Sequence, residues 1–165
     1  MGNEMDEIIE NLYLGGYGAA QNIQQLKEKG VKKVLSVMEL SEGPTYNPDE
    51  FKQLKFDISD IETQNIIQIF GECLKFIKGD DKILVHCMVG ASRSATIVIA
   101  YLMWTKKLKF DEAFDFVRSK RQIVCPNDGF QSQLKLFEKL LIENDYNIDK
   151  INFKEINWKP SPEFI

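Results

Sequence analysis

The stretch ILVHCMVGASRSATIVIAYLMW, residues 83–104, decides how this chain folds. Ile83-Leu84-Val85 is a short apolar run, as expected of a strand buried on both faces. Residues 93–106 read as a helix that is apolar nearly all round, which places it centrally. Between the two lie Cys87 and Arg93, beside the chain's single histidine, His86. A thiol therefore stands at the C-terminal end of a strand and a guanidinium at the N-terminus of a helix. Open α/β sheets place ligands at that end of their strands. A helix N-terminus adds unpaired N–H groups and partial positive charge.

A turn that curls the amides of Met88, Val89, Gly90, Ala91, Ser92 and Arg93 inward makes an anion cradle. Gly90 sits mid-loop, where a positive φ or close backbone approach is called for. The Arg93 fork grips two oxygens of a phosphate at once, which an ammonium does not. A cation at a helix start opposes the dipole, so a bound anion or thiolate accounts for Arg93 better than a solvated surface charge does. An isolated cysteine is most often a small buried hydrophobe. Here position makes Cys87 a candidate nucleophile, its thiolate favoured by the loop amides, Arg93 and the Ser94 hydroxyl. Adjacent strand residues face opposite ways, so His86 does not pair with Cys87 as in a Cys/His protease. It is expected to support the loop from behind.

Outward from this centre the pattern alternates strands and helices. NLYLGG (11–16), VKKVLSVM (31–38) and LKFDISD (54–60) read as strands, and Gln21–Lys29 as a helix closed by Gly30. Ile66, Phe70, Cys73, Leu74 and Ile77 share a helical face. Segments 110–121 and 127–141 are amphipathic helices, the second placed to be capped by Asn127. The expected fold is α/β: a mixed, largely parallel central sheet flanked by helices, with a helix-rich C-terminal half. Residues 1–145 form the expected domain and 146–165 a loosely packed tail.

The 165 residues, 44% of them hydrophobic, suffice for one domain with a real core. A net charge of −4 argues against nucleic acid as a partner, so an anionic ligand must be held by a focused site. One histidine and no CxxC leave no zinc-ligand set, and no metal or other cofactor is expected. Three cysteines without a disulfide-framework spacing or a secretory signal point to a reducing compartment. The cytoplasm is expected, with peripheral membrane association or the nucleus as alternatives. Cys73 and Cys125 are expected to be inert packing residues. The longest apolar stretch, Ala95–Trp104, is a core helix by length and not a membrane span. Gly2 after Met1 invites N-myristoylation, but that signal wants Ser or Thr where Asp6 stands. Membrane contact is expected only if Gly2 carries the lipid, and the chain is expected to be a monomer.

His86-Cys87-x5-Arg93-Ser94 resembles the signature of cysteine-dependent protein tyrosine phosphatases. Together with NLYLGG, GVKKVLSV and VCPNDGFQSQL it resembles the small atypical dual-specificity phosphatases over roughly residues 8–141. The resemblance implies metal-free hydrolysis of phosphotyrosine and phosphoserine/phosphothreonine through a phosphocysteine. Cys87 would attack, Arg93 and the 88–93 amides would hold the phosphate, and Ser94 would stabilise the departing thiolate. The leaving oxygen then needs an acid, and the loop holds none. Of Asp57, Asp60 and Glu62, Asp57 falls within a strand. Asp60 lies just past it, on a stretch able to reach the ligand, and matches the family's general acid. Met88–Ser92 contain no Lys or Arg, which favours singly phosphorylated substrates over phosphoinositides. A sulfurtransferase would leave Asp60 and Ser94 without a role. A phosphate-binding adaptor and a phosphatase of a singly phosphorylated non-protein substrate are the remaining alternatives.

Overall fold

A computed structural model describes residues 2–160; Met1 and the last five tail residues, 161–165, lie outside the described residues. Within them, five strands form one sheet: β1 (Met5–Ile9), β2 (Leu12–Gly15), β3 (Val31–Met38), β4 (Lys52–Asp57) and β5 (Lys82–His86). Their spatial order is β1-β2-β5-β3-β4, with β1 antiparallel to β2 and every other pairing parallel. The apolar run at 83–85 thus becomes the central strand, fully covered on both faces. In register, Gly15 and Ser36 flank His86, so β2 and β5 end side by side and β3 runs two residues further.

Side-chain alternation divides the core. Tyr13, Val34 and Leu84 face one side, with Leu26, Ala19 and Ala20 from α1 (Tyr17–Gln21) and α2 (Ile23–Glu28). Leu14, Leu35, Ile83 and Val85 face the other, under α3 (Phe70–Ile77), α4 (Arg93–Thr105), α5 (Phe110–Lys120) and α6 (Asp128–Glu143). α4 is the middle of that layer: Ala95 through Ala100 are all buried. None of the helices described is long and apolar enough to cross a membrane.

Three elements differ from expectation. The 21–29 helix begins earlier and is broken at Asn22, whose ψ of 78° leaves the helical region while its side chain accepts from Gln25 N–H and starts α2. The third expected strand begins at Lys52 and ends at Asp57, and the chain peels away through Ile58 to Asp60. β1 carries no alternating signal: its buried residues, Met5 and Ile8, are three apart across a register shift, and Asp6 and Glu7 at a sheet edge make the segment look polar. The tail packs on the domain where loose packing is expected: Ile148, Ile151 and Phe153 are buried in the larger core, and Asn65 and Gln68 donate side-chain N–H groups to the Ile156 carbonyl.

Candidate active site

Four segments meet at the C-terminal edge of the sheet: 15–17 after β2, 58–62 after β4, 87–93 after β5, and 121–127 between α5 and α6. Cys87 is buried, its Sγ 3.0 Å from Ser94 Oγ and 3.2 Å from the Gly90 nitrogen, which donates to it. Gly90 has a φ of +77°, and a Cβ there would lie 2.5 Å from the Gly15 carbonyl carbon. Both conformational demands on this glycine therefore act together. Gly16 is constrained from the other side, since a Cβ would lie 2.8 Å from the Met88 oxygen.

Arg93 opens α4 and donates from one terminal nitrogen to the Ile58 carbonyl at 3.0 Å. Its Nε is buried and has no partner among the described residues. A buried guanidinium N–H without an acceptor is costly, and a bound oxyanion beside it would remove that cost. Asp60 lies in the same cluster. Its Oδ1 accepts from Ser92 Oγ at 2.7 Å and from Asn127 Nδ2 at 2.9 Å, while Ser92 Oγ accepts from the Asn127 backbone N–H at 3.0 Å. The carboxyl is thereby fastened to the cysteine's own loop. Asp57 is exposed at the end of the edge strand β4, and Glu62 is exposed too.

His86 is fully buried and turned away from the thiol. Its Nδ1 lies 3.1 Å from the Cys87 carbonyl, which only accepts, so Nδ1 carries the proton. Nε2 then accepts from Ser36 Oγ at 2.6 Å, and Ser36 Oγ accepts from Gln53 Nε2 at 3.0 Å. Burial pulls the imidazole down to about 4, more than the Cys87 carbonyl raises it. Neutral and engaged at both nitrogens, His86 is no base for Cys87; it braces the loop's first peptide.

This brace sets a pH dependence of stability. The folded imidazole titrates near 4 and the unfolded one near 6.5, so between those values the unfolded chain holds the extra proton. Its contribution is complete above pH 6.5 and is lost as pH falls toward 4, by about 3 kcal/mol across the window. Urea denaturation at pH 7 and pH 5 should show the loss. In His86→Asn the slope should be shallower by about one proton, and an unchanged slope would refute it.

Several residues at the site have roles that the sequence does not signal. Asn127 was legible as a helix cap, and its Oδ1 does accept from Phe130 N–H, but its amide nitrogen also holds Asp60. Ser92, expected to contribute its backbone N–H, also offers the hydroxyl that joins the loop to Asp60. Gln133 is buried, accepts from the N–H groups of Ile66 and Ile67 and donates to the Gln64 carbonyl, which anchors the segment beyond Asp60 on α6. Cys73 is a core residue whose thiol burial pushes well up. Cys125 is exposed, which corrects the expectation that it is a packing residue, and its N–H donates to the Ala91 carbonyl at 2.7 Å.

A deep cysteine on an amide-rich loop, closing a parallel βα crossover with an arginine at the helix start, defines the cysteine-phosphatase fold. The family model for the catalytic domain of dual specificity phosphatases matches residues 12–140, and the chain belongs to that family. It is 45% identical over 137 residues to the MAP kinase phosphatase with leucine-rich repeats protein 1 of Dictyostelium discoideum, covering 81% of this chain but only 16% of that relative's length. It is 37% identical to the dual specificity protein phosphatase 1B of Arabidopsis thaliana, over 87% of both chains. The crystal structure of the human tyrosine phosphatase-like serine/threonine/tyrosine-interacting protein superposes with a TM-score of 0.81 at 34% identity, covering 85% of this chain and 99% of that one.

Proposed function

We propose that residues 1–145, with 146–165 as a C-terminal tail, are a catalytic domain that hydrolyses singly phosphorylated tyrosine, serine and threonine side chains of proteins. One observation carries this reading above all: Asp60 is hydrogen-bonded to Ser92 of the loop on which Cys87 and Arg93 stand. A nucleophile and a phosphate clamp on one loop and a proton donor on another are thus fastened together, as in-line displacement requires. Cys87 Sγ attacks phosphorus while Arg93 and the 88–93 amides hold the three outer oxygens. As the P–O bond to the side chain breaks, Asp60 protonates the leaving oxygen. Oδ1 is engaged by two donors, which leaves Oδ2 to carry the proton. Water then attacks the phosphocysteine, returns a proton to Asp60, and orthophosphate leaves as the S–P bond breaks. Ser94 Oγ, 3.0 Å from the sulfur, donates to the departing thiolate.

The cytoplasm and a monomeric state fit this reading, with peripheral membrane contact only if Gly2 is acylated. The test is turnover of nitrophenyl phosphate and of phosphopeptides in the presence of a chelator. A phosphate-binding adaptor binds such ligands without turning them over, and a phosphatase of small esters ignores the peptides. Arg93→Lys should lose about 10- to 10²-fold in kcat/KM, the equivalent of one charge-assisted hydrogen bond. Near-normal kinetics in that variant would remove Arg93 from the clamp.

A further inference from the structure

We propose that Arg121 is a positioning residue for catalysis: from behind the phosphate loop its guanidinium turns two of the loop's amides toward the reacting phosphate, and Asp6 of the N-terminal strand holds it there. The inference rests on the phosphatase reading of the Cys87 loop.

Arg121 stands just past α5, far from Cys87 in sequence, yet all three of its nitrogens are committed around that loop. Nε donates to the Gly90 carbonyl and one terminal nitrogen to the Val89 carbonyl, both at 2.9 Å. The other terminal nitrogen donates to Asp6 Oδ2, also at 2.9 Å. The side chain is only 11% exposed, and its nitrogens are spent on the loop carbonyls and on Asp6.

A trans peptide unit points its C=O and its N–H in opposite directions. Drawing the Val89 and Gly90 carbonyls toward Arg121 therefore turns the N–H groups of Gly90 and Ala91 the other way. The Gly90 N–H does point there, donating to Cys87 Sγ at 3.2 Å. The neighbouring units are held likewise: the Met88 carbonyl accepts from Tyr17 N–H at 2.8 Å and the Ala91 carbonyl from Cys125 N–H at 2.7 Å. Successive carbonyls from Met88 to Ala91 are thus all pulled outward by donors outside the loop. Two of those four donors belong to one side chain, and that side chain carries the only positive charge among them. The charge also polarises both peptides, which makes their N–H groups stronger donors to an oxyanion.

Asp6 completes the arrangement. It lies on β1 and pairs with Leu14 of β2, so the ion pair ties the sheet edge to the back of the loop. The residue that breaks the acylation signal in the sequence thus has a structural partner of its own.

The experiment uses the full chain and calorimetric binding of tungstate, alongside kcat/KM for nitrophenyl phosphate and for a phosphopeptide. In Arg121→Met, tungstate affinity should fall about tenfold, and kcat/KM should fall by a similar factor on both substrates. Arg121→Lys, with the charge but a single prong, should recover part of the loss, and Asp6→Ala should lose two- to threefold in the same direction. Wild-type tungstate affinity in a folded Arg121→Met would overturn the inference. So would a loss confined to the phosphopeptide, which would make Arg121 a surface contact. If Arg121→Met fails to fold, Asp6→Ala decides, and unchanged affinity there overturns it. If the unaltered chain binds tungstate but turns over neither substrate, the phosphatase reading falls and the binding comparison still judges Arg121.

Discussion

Cys87→Ser is expected to bind phosphate and tungstate much as the unaltered chain does, while turnover falls by on the order of 10⁶, the scale of removing a covalent nucleophile. The two outcomes separate because the binding groups do not depend on sulfur. The Arg93 guanidinium is anchored on the Ile58 carbonyl, and the loop carbonyls are held from outside by Tyr17, Arg121 and Cys125. A hydroxyl at position 87 keeps an acceptor for Gly90 N–H and a neighbour for Ser94. It stays protonated at neutral pH, so attack on phosphorus stops. Stopped-flow or steady-state turnover beside tungstate calorimetry measures both. Hydrolysis of nitrophenyl phosphate by Cys87→Ser at near the original rate would displace Cys87 as nucleophile.

Asp60→Asn should show a leaving-group signature. Asparagine keeps an oxygen to accept from Ser92 and Asn127, so the cluster survives and only the transferable proton is lost. A nitrophenolate departs tolerably as an anion, whereas a serine alkoxide does not. The variant should therefore lose ~10²–10⁴ on phosphoserine or phosphotyrosine peptides, the usual range for general acid–base catalysis. The loss on nitrophenyl phosphate should be clearly smaller when phosphoenzyme formation limits the rate. Asp57→Asn, altered at an exposed position on the edge strand, should leave both rates within about twofold, as surface substitutions do. If Asp57→Asn showed the leaving-group dependence and Asp60→Asn did not, the acid would be the strand residue.

The centre of the fold was open to reading because its signals are local. An apolar strand, a glycine-bearing turn and an all-apolar helix follow one another within residues 83–104, and chain geometry alone places Cys87 and Arg93 on one loop. Asp60 was reachable by one further step, since a strand that ends frees the residue beyond it. What stayed hidden was carried by contacts between distant positions. The ion pair of Asp6 with Arg121 spans most of the chain, and no periodicity announces a guanidinium that will cap two carbonyls. Asn127 and Gln133 each satisfy a local pattern, as cap and as helix residue, and that pattern masks their second task of holding the segment that carries Asp60.

Strand order also governs how the chain acquires its shape during synthesis. β5 lies at the middle of the sheet yet is the last of the described strands to be made, and it pairs with partners 71 positions back, Leu12 with Ile83, and 50 positions back, Lys33 with Ile83. Until residue 86 leaves the ribosome, β1 can pair only with β2 and β3 only with β4, and any such half-sheet has an unpaired inner edge. Such edges attract other strands, and closing them demands long loops whose entropy is lost before contacts compensate, which slows folding. The nascent chain up to β5 is therefore the form most exposed to aggregation. Joining the half-sheets and forming the cysteine loop are one event, because the strand that seals the sheet is the strand that ends at Cys87.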